Sequence, residues 1–269
     1  MEDRIITQKL YNGEIVISFN AGTEKNPKHD YRVIDETGKS KRLCGVTTYL
    51  GVINKPALIP WAVKTTVEYL RDHIDALQTE PNQILDAAKL EANRLKEEAA
   101  NIGKAVHAWI EEYIKSQIDG GVSPEMPEKE EVLNGVNNFM DWVNKDKPEF
   151  HASEMIIYSR KYGYVGQVDV VATINGKKYL TDVKTTNGIW PEMLAQTAGY
   201  QRGYEEQTGE LLYGRIILKI DKDAEIAVEP IFIDEEENTV DRDFKCFLSA
   251  MDIYEWQKAA NSHLKKLRD

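Results

Sequence analysis

The first part of the chain alternates apolar and polar residues over short stretches. This period of two occurs at residues 14–19 and 30–35 and predicts strands, and the sequence Glu36-Thr37-Gly38 predicts a turn after the second strand. We therefore expect residues 1–45 to form a β segment.

Apolar residues then recur every three or four positions, which indicates helices. Thr47 or Thr48 is suited to cap a first short helix. Pro56 and Pro60 mark the entry into a second helix, which we expect to run towards Leu77.

A longer helical pattern covers residues 81–118 and predicts a helix or a helix pair packed on a core. Its apolar stripe consists of Leu85, Ala88, Ala92, Leu95, Ala99, Ile102, Val106 and Trp109. A loop rich in Gly, Pro and Glu at residues 119–131 and a short helix at residues 134–144 follow. Residues 46–150 are thus predicted to be a helical region.

Strand patterns return after His151 and dominate the second half of the chain. Strands are predicted at residues 154–158, 165–174 and 177–184, with Asn175-Gly176 as a two-residue hairpin turn. The remaining predicted elements are a helix at 191–207, strands at 211–220 and 225–233, and a long amphipathic helix at 236–267.

This order of elements predicts a single α/β domain over residues 1–269, with a mixed central sheet flanked by helices. The sheet and the helix within it would occupy residues 151–234. A helical N-terminal region would precede the sheet, and a long C-terminal helix would occupy residues 235–269.

Composition narrows the function classes. The chain has 34 basic and 45 acidic residues and a net charge of -11, which disfavours bulk binding of nucleic acid, because phosphate neutralisation uses Lys and Arg. Its two cysteines, Cys44 and Cys246, exclude a four-cysteine zinc or iron–sulfur site. The chain contains neither a membrane-length apolar run nor a signal peptide, so we expect a cytoplasmic protein without membrane contact.

The hairpin at residues 165–184 carries the strongest chemical signal. Because side chains alternate along a strand, Asp182 and Lys184 point to one face, and Asp169 lies in the valine-rich partner strand. Two neighbouring carboxylates repel each other, and a divalent cation between them relieves this repulsion. Such an ion activates water, while a lysine holds that water or stabilises the transition state. The alternative is a surface ion pair between Asp182 and Lys184 beside an exposed Asp169.

Two helices carry further candidate residues. Gly103, His107 and Glu111 follow one line at steps of four, where Gly103 would admit another backbone and His107 would be structural or a metal ligand. Gln196 and Tyr200 lie one turn apart on the helix after the hairpin. They would either pack in the core or orient water, phosphate or DNA.

Four segments, in this order, resemble the RecB-like branch of the PD-(D/E)XK nuclease superfamily. They are GKAVHAWIE at 103–111, SEMIIYSRKYGYVGQVDVVA at 153–172, YLTDVKTT at 179–186 and QTAGYQRGY at 196–204. The segment GVTTYLGVINKPALIPW at 45–61 is similar to the lead-in of phage and mitochondrial genome maintenance exonucleases.

The resemblance implies a restriction-endonuclease-like core and assigns roles to residues. The implied metal ligands are His107, Asp169, Asp182 and the main-chain carbonyl of Val183. The implied catalytic residues are Asp169, Asp182, Lys184, Gln196 and Tyr200, with Glu111 and Glu154 as accessory positions.

The implied function is hydrolysis of DNA phosphodiesters with one or two Mg²⁺ or Mn²⁺ ions, by an exonuclease acting on single-stranded or duplex ends in phage-type recombination, replication or repair. We expect a phage or bacterial host, a single-strand annealing protein as partner, and neither an iron–sulfur cluster nor ATP, since no Walker A sequence occurs. The alternatives are a structure-specific endonuclease, a non-catalytic DNA-binding member of the fold, and an enzyme for another phosphate ester. Candidate phosphate contacts are Lys64, Lys89, Arg94, Lys96 and Lys104.

Overall fold

The computed structural model describes residues 5–20, 30–34, 37–223, 227–234 and 239–268. Within these ranges the N-terminal part forms a four-stranded antiparallel sheet. Its strands, adjacent in chain order, are β1 (Ile5–Leu10), β2 (Ile15–Asn20), β3 (Asp30–Ile34) and β4 (Ser40–Leu43). The two predicted strands are confirmed, whereas Asp35 and Glu36 lie outside the described residues.

A second sheet forms the centre of the molecule. Its five described strands, also adjacent in chain order, are β5 (Glu149–Ser159), β6 (Tyr164–Ile174), β7 (Lys177–Lys184), β8 (Gly214–Lys219) and β9 (Glu229–Asp234). Strands β7 and β8 pair in parallel and all other neighbours are antiparallel, so the sheet is mixed as predicted. Asn175 and Gly176 join β6 to β7 with φ of 51 and 75, the left-handed conformation that this hairpin turn requires.

Helices account for most of the remaining described residues. They are α1 (Val46–Leu50), α2 (Leu58–Asp72), α3 (Ile74–Thr79), α4 (Pro81–Asp119), α5 (Glu130–Asp146), α6 (Pro191–Thr208) and α7 (Val240–Lys266). The long α7 is the predicted C-terminal helix, although residues 236–238 of its predicted range lie outside the described residues.

Two local predictions about these helices were wrong. Helix α1 begins at Val46 with Gly45 as its N-cap and no side-chain cap, so neither nearby threonine caps it. The helix expected to reach Leu77 ends at Asp72, because His73 adopts a non-helical conformation (φ -115, ψ 27) and α3 starts anew after it. The ring of His73 stacks on Tyr69 at this break.

Both faces of the central sheet are covered by helices, which confirms the predicted α/β architecture. Helices α4 and α5 pack on one face through Val106, Phe139 and Trp142. Helices α1, α6 and α7 cover the other face around Leu180 and Phe247. The small sheet packs its apolar side against β5 and β6.

The 39-residue helix α4 is a single helix about 58 Å long, and only its second half packs on the sheet. There Ile102 and Val106 are buried, as the predicted stripe requires. In the first half Leu85 is 50% exposed, whereas Ile84 and Ala88 are buried. Helices α2 and α3 are among the elements that contact α4. Among the described residues no helix has the length and apolar character needed to cross a membrane.

Candidate active site

The sequence-predicted site residues converge on one cleft of about 840 Å³ at the end of the central hairpin. Helix α4 forms one wall, strands β6 and β7 form the floor, and α6 closes the back. Those predicted residues that line it are His107, Glu111, Glu154, Asp169, Asp182, Val183, Lys184, Gln196 and Tyr200. Residues up to 93 positions apart in the sequence therefore share a single cavity.

The α4 wall lies unusually close to the end of β7. A Cβ atom at Gly103 would lie 2.6 Å from Oγ1 of Thr185, so only glycine allows this approach. The expected close contact at Gly103 is thus present, with a side chain rather than a backbone. One turn later His107 reaches into the cleft, where its Nδ1 lies 3.9 Å from Oδ2 of Asp169. Glu111, a further turn along, pairs with Lys115.

Asp182 and Lys184 form an ion pair that is buried rather than exposed, which contradicts the surface-pair alternative. The Asp182 side chain is 1% exposed, and its Oδ2 lies 2.6 Å from Nζ of Lys184. Burial raises the pKa of Asp182 to about 6, although Lys184 opposes the shift. Burial lowers the pKa of Lys184, but Asp182 and Asp169 outweigh it, and the net pKa is raised. The lysine is therefore an ammonium at neutral pH.

Asp169 connects the two strands of the hairpin at the cleft. Its Oδ2 accepts a hydrogen bond of 2.7 Å from the main-chain N–H of Val183, beyond the last paired residues of β6 and β7. The carboxylate thereby occupies the gap where the strands separate. It faces both the α4 wall and the buried ion pair, so it lies at the centre of the charged cluster.

Glu154 takes a larger part in this cluster than its accessory status in the sequence implied. Ligand atoms of His107, Glu154 and Asp169 all lie within 4.8 Å of one another. Burial raises the pKa of Glu154 to about 9, with Asp169 and then Glu111 adding to the shift. Its φ of 50 is uncommon for a residue other than glycine, and such strain is often found at functional sites.

The donor set suits a divalent metal ion. One imidazole nitrogen and two carboxylate oxygens are within reach of a common ion, and these donors fit Mn²⁺ or Mg²⁺. Asp182 pairs with Lys184 and lies outside the tight group of three, and its role as a metal ligand stays a prediction, as does that of the Val183 carbonyl. Neighbouring carboxylates that repel one another are stabilised by a cation between them.

Helix α6 supports the buried aspartate from behind. Nε2 of Gln196 lies 3.2 Å from Oδ1 of Asp182 and 3.1 Å from the hydroxyl of Tyr200. Tyr200 is only 5% exposed, and burial together with Asp182 raises its pKa well above the usual value. A Cβ atom at Gly166 would lie 2.6 Å from the Tyr200 ring. Sequence reasoning missed Gly166, although a glycine inside a valine-rich strand signals a close approach.

The basic residues proposed as phosphate contacts do not share one location. Lys104 lines the cleft, whereas the other four do not. Lys64 pairs with Glu68, and Arg94 pairs with Glu91 and Glu98. The sequence interpretation missed the part of the rim formed by Arg42, Thr47, Thr48, Tyr254 and Lys258.

Comparisons with known proteins supply context only. No family model and no curated protein matches the chain. A protein from Eubacterium rectale, described provisionally as an exonuclease, is 14% identical with a TM-score of 0.36 over 57% of this chain and 67% of its own. The alkaline exonuclease LHK-Exo from Laribacter hongkongensis is 11% identical with a TM-score of 0.29 over 58% of this chain and 85% of its own. Likeness at these TM-scores establishes no activity, which has to be argued from the cleft.

Proposed function

We propose that this protein is a metal-dependent deoxyribonuclease of the PD-(D/E)XK type that removes nucleotides from DNA ends. The observation that carries the proposal is the group of His107, Glu154 and Asp169 beside a buried Asp182–Lys184 ion pair. The four sequence segments that resemble RecB-like nucleases supply the residues of this cluster, which supports the same chemistry.

The three-residue group is the proposed metal site. A bound Mg²⁺ or Mn²⁺ ion supplies Lewis acidity and lowers the pKa of water. His107 contributes a neutral nitrogen donor, and Asp169 and Glu154 contribute carboxylates whose mutual repulsion the ion relieves. Asp169 is held in place by the Val183 N–H, and the oxygen that accepts this hydrogen bond, Oδ2, lies 3.9 Å from Nδ1 of His107.

Lys184 is the proposed catalytic lysine. Its side chain is 17% exposed at the cleft, and its ammonium is fixed by Asp182. The positive charge of Lys184 therefore has a defined direction. At this position the ammonium orients the attacking water or stabilises the negative charge that develops on the phosphate oxygens. Gln196 holds Asp182 from the other side, and Tyr200 holds Gln196. These two α6 residues thus act by positioning.

Every predicted catalytic position retains its functional residue type, which supports an active enzyme over a non-catalytic DNA-binding member. We propose exonuclease action because the segment at 45–61, which lines the rim with Thr47 and Thr48, resembles phage and mitochondrial genome maintenance exonucleases. The same resemblance supports a role in phage-type recombination, replication or repair, with a single-strand annealing protein as partner.

The test uses end-labelled linear DNA, single-stranded and duplex, beside covalently closed circular DNA, with Mg²⁺ or Mn²⁺. The wild type and the control Lys145→Ala, an exposed lysine on α5, should degrade linear DNA only. Lys184→Ala and EDTA should abolish degradation, while the variant still binds metal and DNA. Nicking of the circle would indicate an endonuclease instead. Undiminished cutting by Lys184→Ala would refute the catalytic assignment.

A further inference from the structure

The C-terminal helix reaches the cleft and then continues beyond it. Tyr254 and Lys258 of α7 line the rim opposite α4. Tyr254 is anchored there, since its ring packs edge-on against Tyr49 and its hydroxyl lies 3.9 Å from Sγ of Cys44. From residue 255 to residue 268 all side chains are exposed except the half-buried Ala260. The last turns of α7 therefore form a projecting extension of the cleft wall.

One face of this extension is polar and basic. Tyr254, Lys258, Ser262 and Lys265 follow each other at steps of four, four and three, so they lie on one line along the helix. At 1.5 Å per residue, this line is about 16 Å long and begins at the cleft. Arg268 follows Lys265 by three residues and extends this line, whereas Lys266 and Leu264 lie about a quarter turn to either side of Lys265. Trp256 lies on the opposite side of the helix.

The charge of this segment differs from that of the whole chain. Residues 256–268 contain four Lys or Arg residues and no Asp or Glu, before Asp269, in a chain whose net charge is -11. Cations near a helix C-terminus are also favoured by the helix dipole, and this accounts for Lys265 and Lys266. It does not account for Lys258, which lies two turns earlier on the cleft rim and whose ionic partner among the described residues is the exposed Glu255, at 3.6 Å.

We propose that this face, from Tyr254 to Lys265 with Lys266 and Arg268, is the surface along which a nucleic-acid strand continues outside the cleft. The inference rests on the proposed function, since a nucleic-acid chain is the substrate. The acidic composition of the chain disfavours bulk binding of nucleic acid. A short basic face beside a carboxylate-rich site, here called the basic track, binds phosphates locally despite that composition. Most of the track lies several nucleotides away from the scissile phosphate, so it affects the binding of long strands more than that of short ones.

The experiment neutralises the track in the full chain. The variant carries Lys258→Gln, Lys265→Gln, Lys266→Gln and Arg268→Gln. The matched control carries Lys129→Gln, Lys145→Gln, Lys161→Gln and Lys245→Gln, four exposed lysines that do not line the cleft. Both lose the same charge, and circular dichroism checks that both are folded. We measure kcat and KM with an oligonucleotide just long enough to fill the cleft and with one several times longer, at low and moderate salt.

For the track variant we expect KM on the long strand to rise about tenfold or more and the slope of log affinity against log salt to fall by about one per lost contact. Its kcat should stay at the wild-type value, and its KM on the short strand should rise much less than on the long strand, because of the four substituted residues only Lys258 lines the cleft. The control should match the wild type throughout. Unchanged KM and salt slope on the long strand, or an equal change in the control, would overturn the proposal.

A second measurement separates this proposal from the proposed function. Fluorescence anisotropy in a Lys184→Ala background follows strand binding without cleavage. If the wild type cuts no DNA, the nuclease function is contradicted. The track proposal still stands in that case if the affinity for the strand depends on its length and on the four substituted cationic side chains. Cutting by the wild type with length-independent binding in both proteins contradicts the track alone.

Discussion

Two buried ion pairs on neighbouring strands of the central sheet differ in the charged and polar groups that surround them. Asp182 and Lys184 lie at the end of β7, and their side chains are 1% and 17% exposed. Arg215 of β8 pairs with Asp243 of α7, and their side chains are 1% and 7% exposed. Since both pairs are largely removed from solvent, burial alone does not distinguish the candidate active site from a structural contact.

The Arg215 pair has a full set of partners. Its guanidinium donates to Asp243 at 2.9 Å, to the Leu194 carbonyl at 2.8 Å, and to the hydroxyls of Thr197 and Thr239 at 3.3 and 3.2 Å. These bonds join α6, β8 and α7. Burial lowers the pKa of Arg215, while Asp243 opposes the shift. Asp243 also pairs with the exposed Arg242 at 3.2 Å, so the negative charge of this group is fully matched by protein side chains.

The cleft pair is surrounded by additional carboxylates. Asp169, Glu154 and Glu111 all face the same cavity, and Lys184 is already committed to Asp182. Burial raises the pKa of Glu154 to about 9, and the neighbouring Asp169 and Glu111 add to the shift. The comparison teaches that close carboxylates without matched partners, and not burial, distinguish a candidate metal site from a structural ion pair.

The largest effect is expected at the structural pair. Arg215→Met removes the buried partner and leaves Asp243 with only the exposed Arg242 as counter-charge among the described residues, which should lower the free energy of unfolding by about 3 kcal/mol. Adding Asp243→Leu should recover most of this loss, because an apolar pair has no charge to leave unpaired. Urea denaturation of both variants measures the difference. If Arg215→Met were as stable as the wild type, the structural ion pair and the cleft ion pair would not differ in the way described.

The next effect concerns the cleft pair. Asp182→Asn should lower kcat by about 10²–10³-fold, because Lys184 loses the carboxylate that orients it. It should also weaken Mn²⁺ binding, since a negative charge beside the metal site is removed. Steady-state cleavage and isothermal titration measure the two quantities, with the exposed Asp141→Asn of α5 as control. Unchanged metal affinity in Asp182→Asn would show that Asp182 does not contribute to metal binding.

A smaller effect tests the close approach that forms the cleft. Gly103→Ala places a methyl group 2.6 Å from Oγ1 of Thr185 and should cost about 1–3 kcal/mol of stability and displace α4. Adding Thr185→Ala removes the clashing oxygen and should restore both stability and cleavage. Thermal unfolding and activity of the double variant decide the point. Failure of this rescue would mean that the helix is positioned by other contacts.

The smallest loss of stability is expected at Glu154. Glu154→Gln removes a carboxyl group whose pKa of about 9 opposes folding at neutral pH, so without metal the variant should be at least as stable as the wild type. The increase in Tm on adding Mn²⁺ should nevertheless be lost, since a ligand has been removed. Asp243→Asn, in the saturated pair, should instead destabilise the protein with or without metal. An undiminished Mn²⁺ shift in Glu154→Gln would exclude Glu154 as a ligand.

Local periodicity predicted most of the elements that carry the site. The hairpin from residue 165 to residue 184, its Asn175-Gly176 turn and the placement of Asp169, Asp182 and Lys184 follow from alternation along two short strands. The line of Gly103 and His107 follows from the helical repeat in the same way. In each case the spacing between residues within one element determines the direction of the side chains.

Only the tertiary structure decided which of these elements meet. The sequence contains no local signal that Glu154 joins His107 and Asp169, that Asp182 is buried against Gln196, or that Lys258 reaches the cleft. Such neighbours depend on how α4, α6 and α7 pack across the sheet, and packing brings together residues that are far apart in the chain. The sequence by itself thus determined the chemical groups and their direction along each element, whereas long-range packing determined their partners and charge balance.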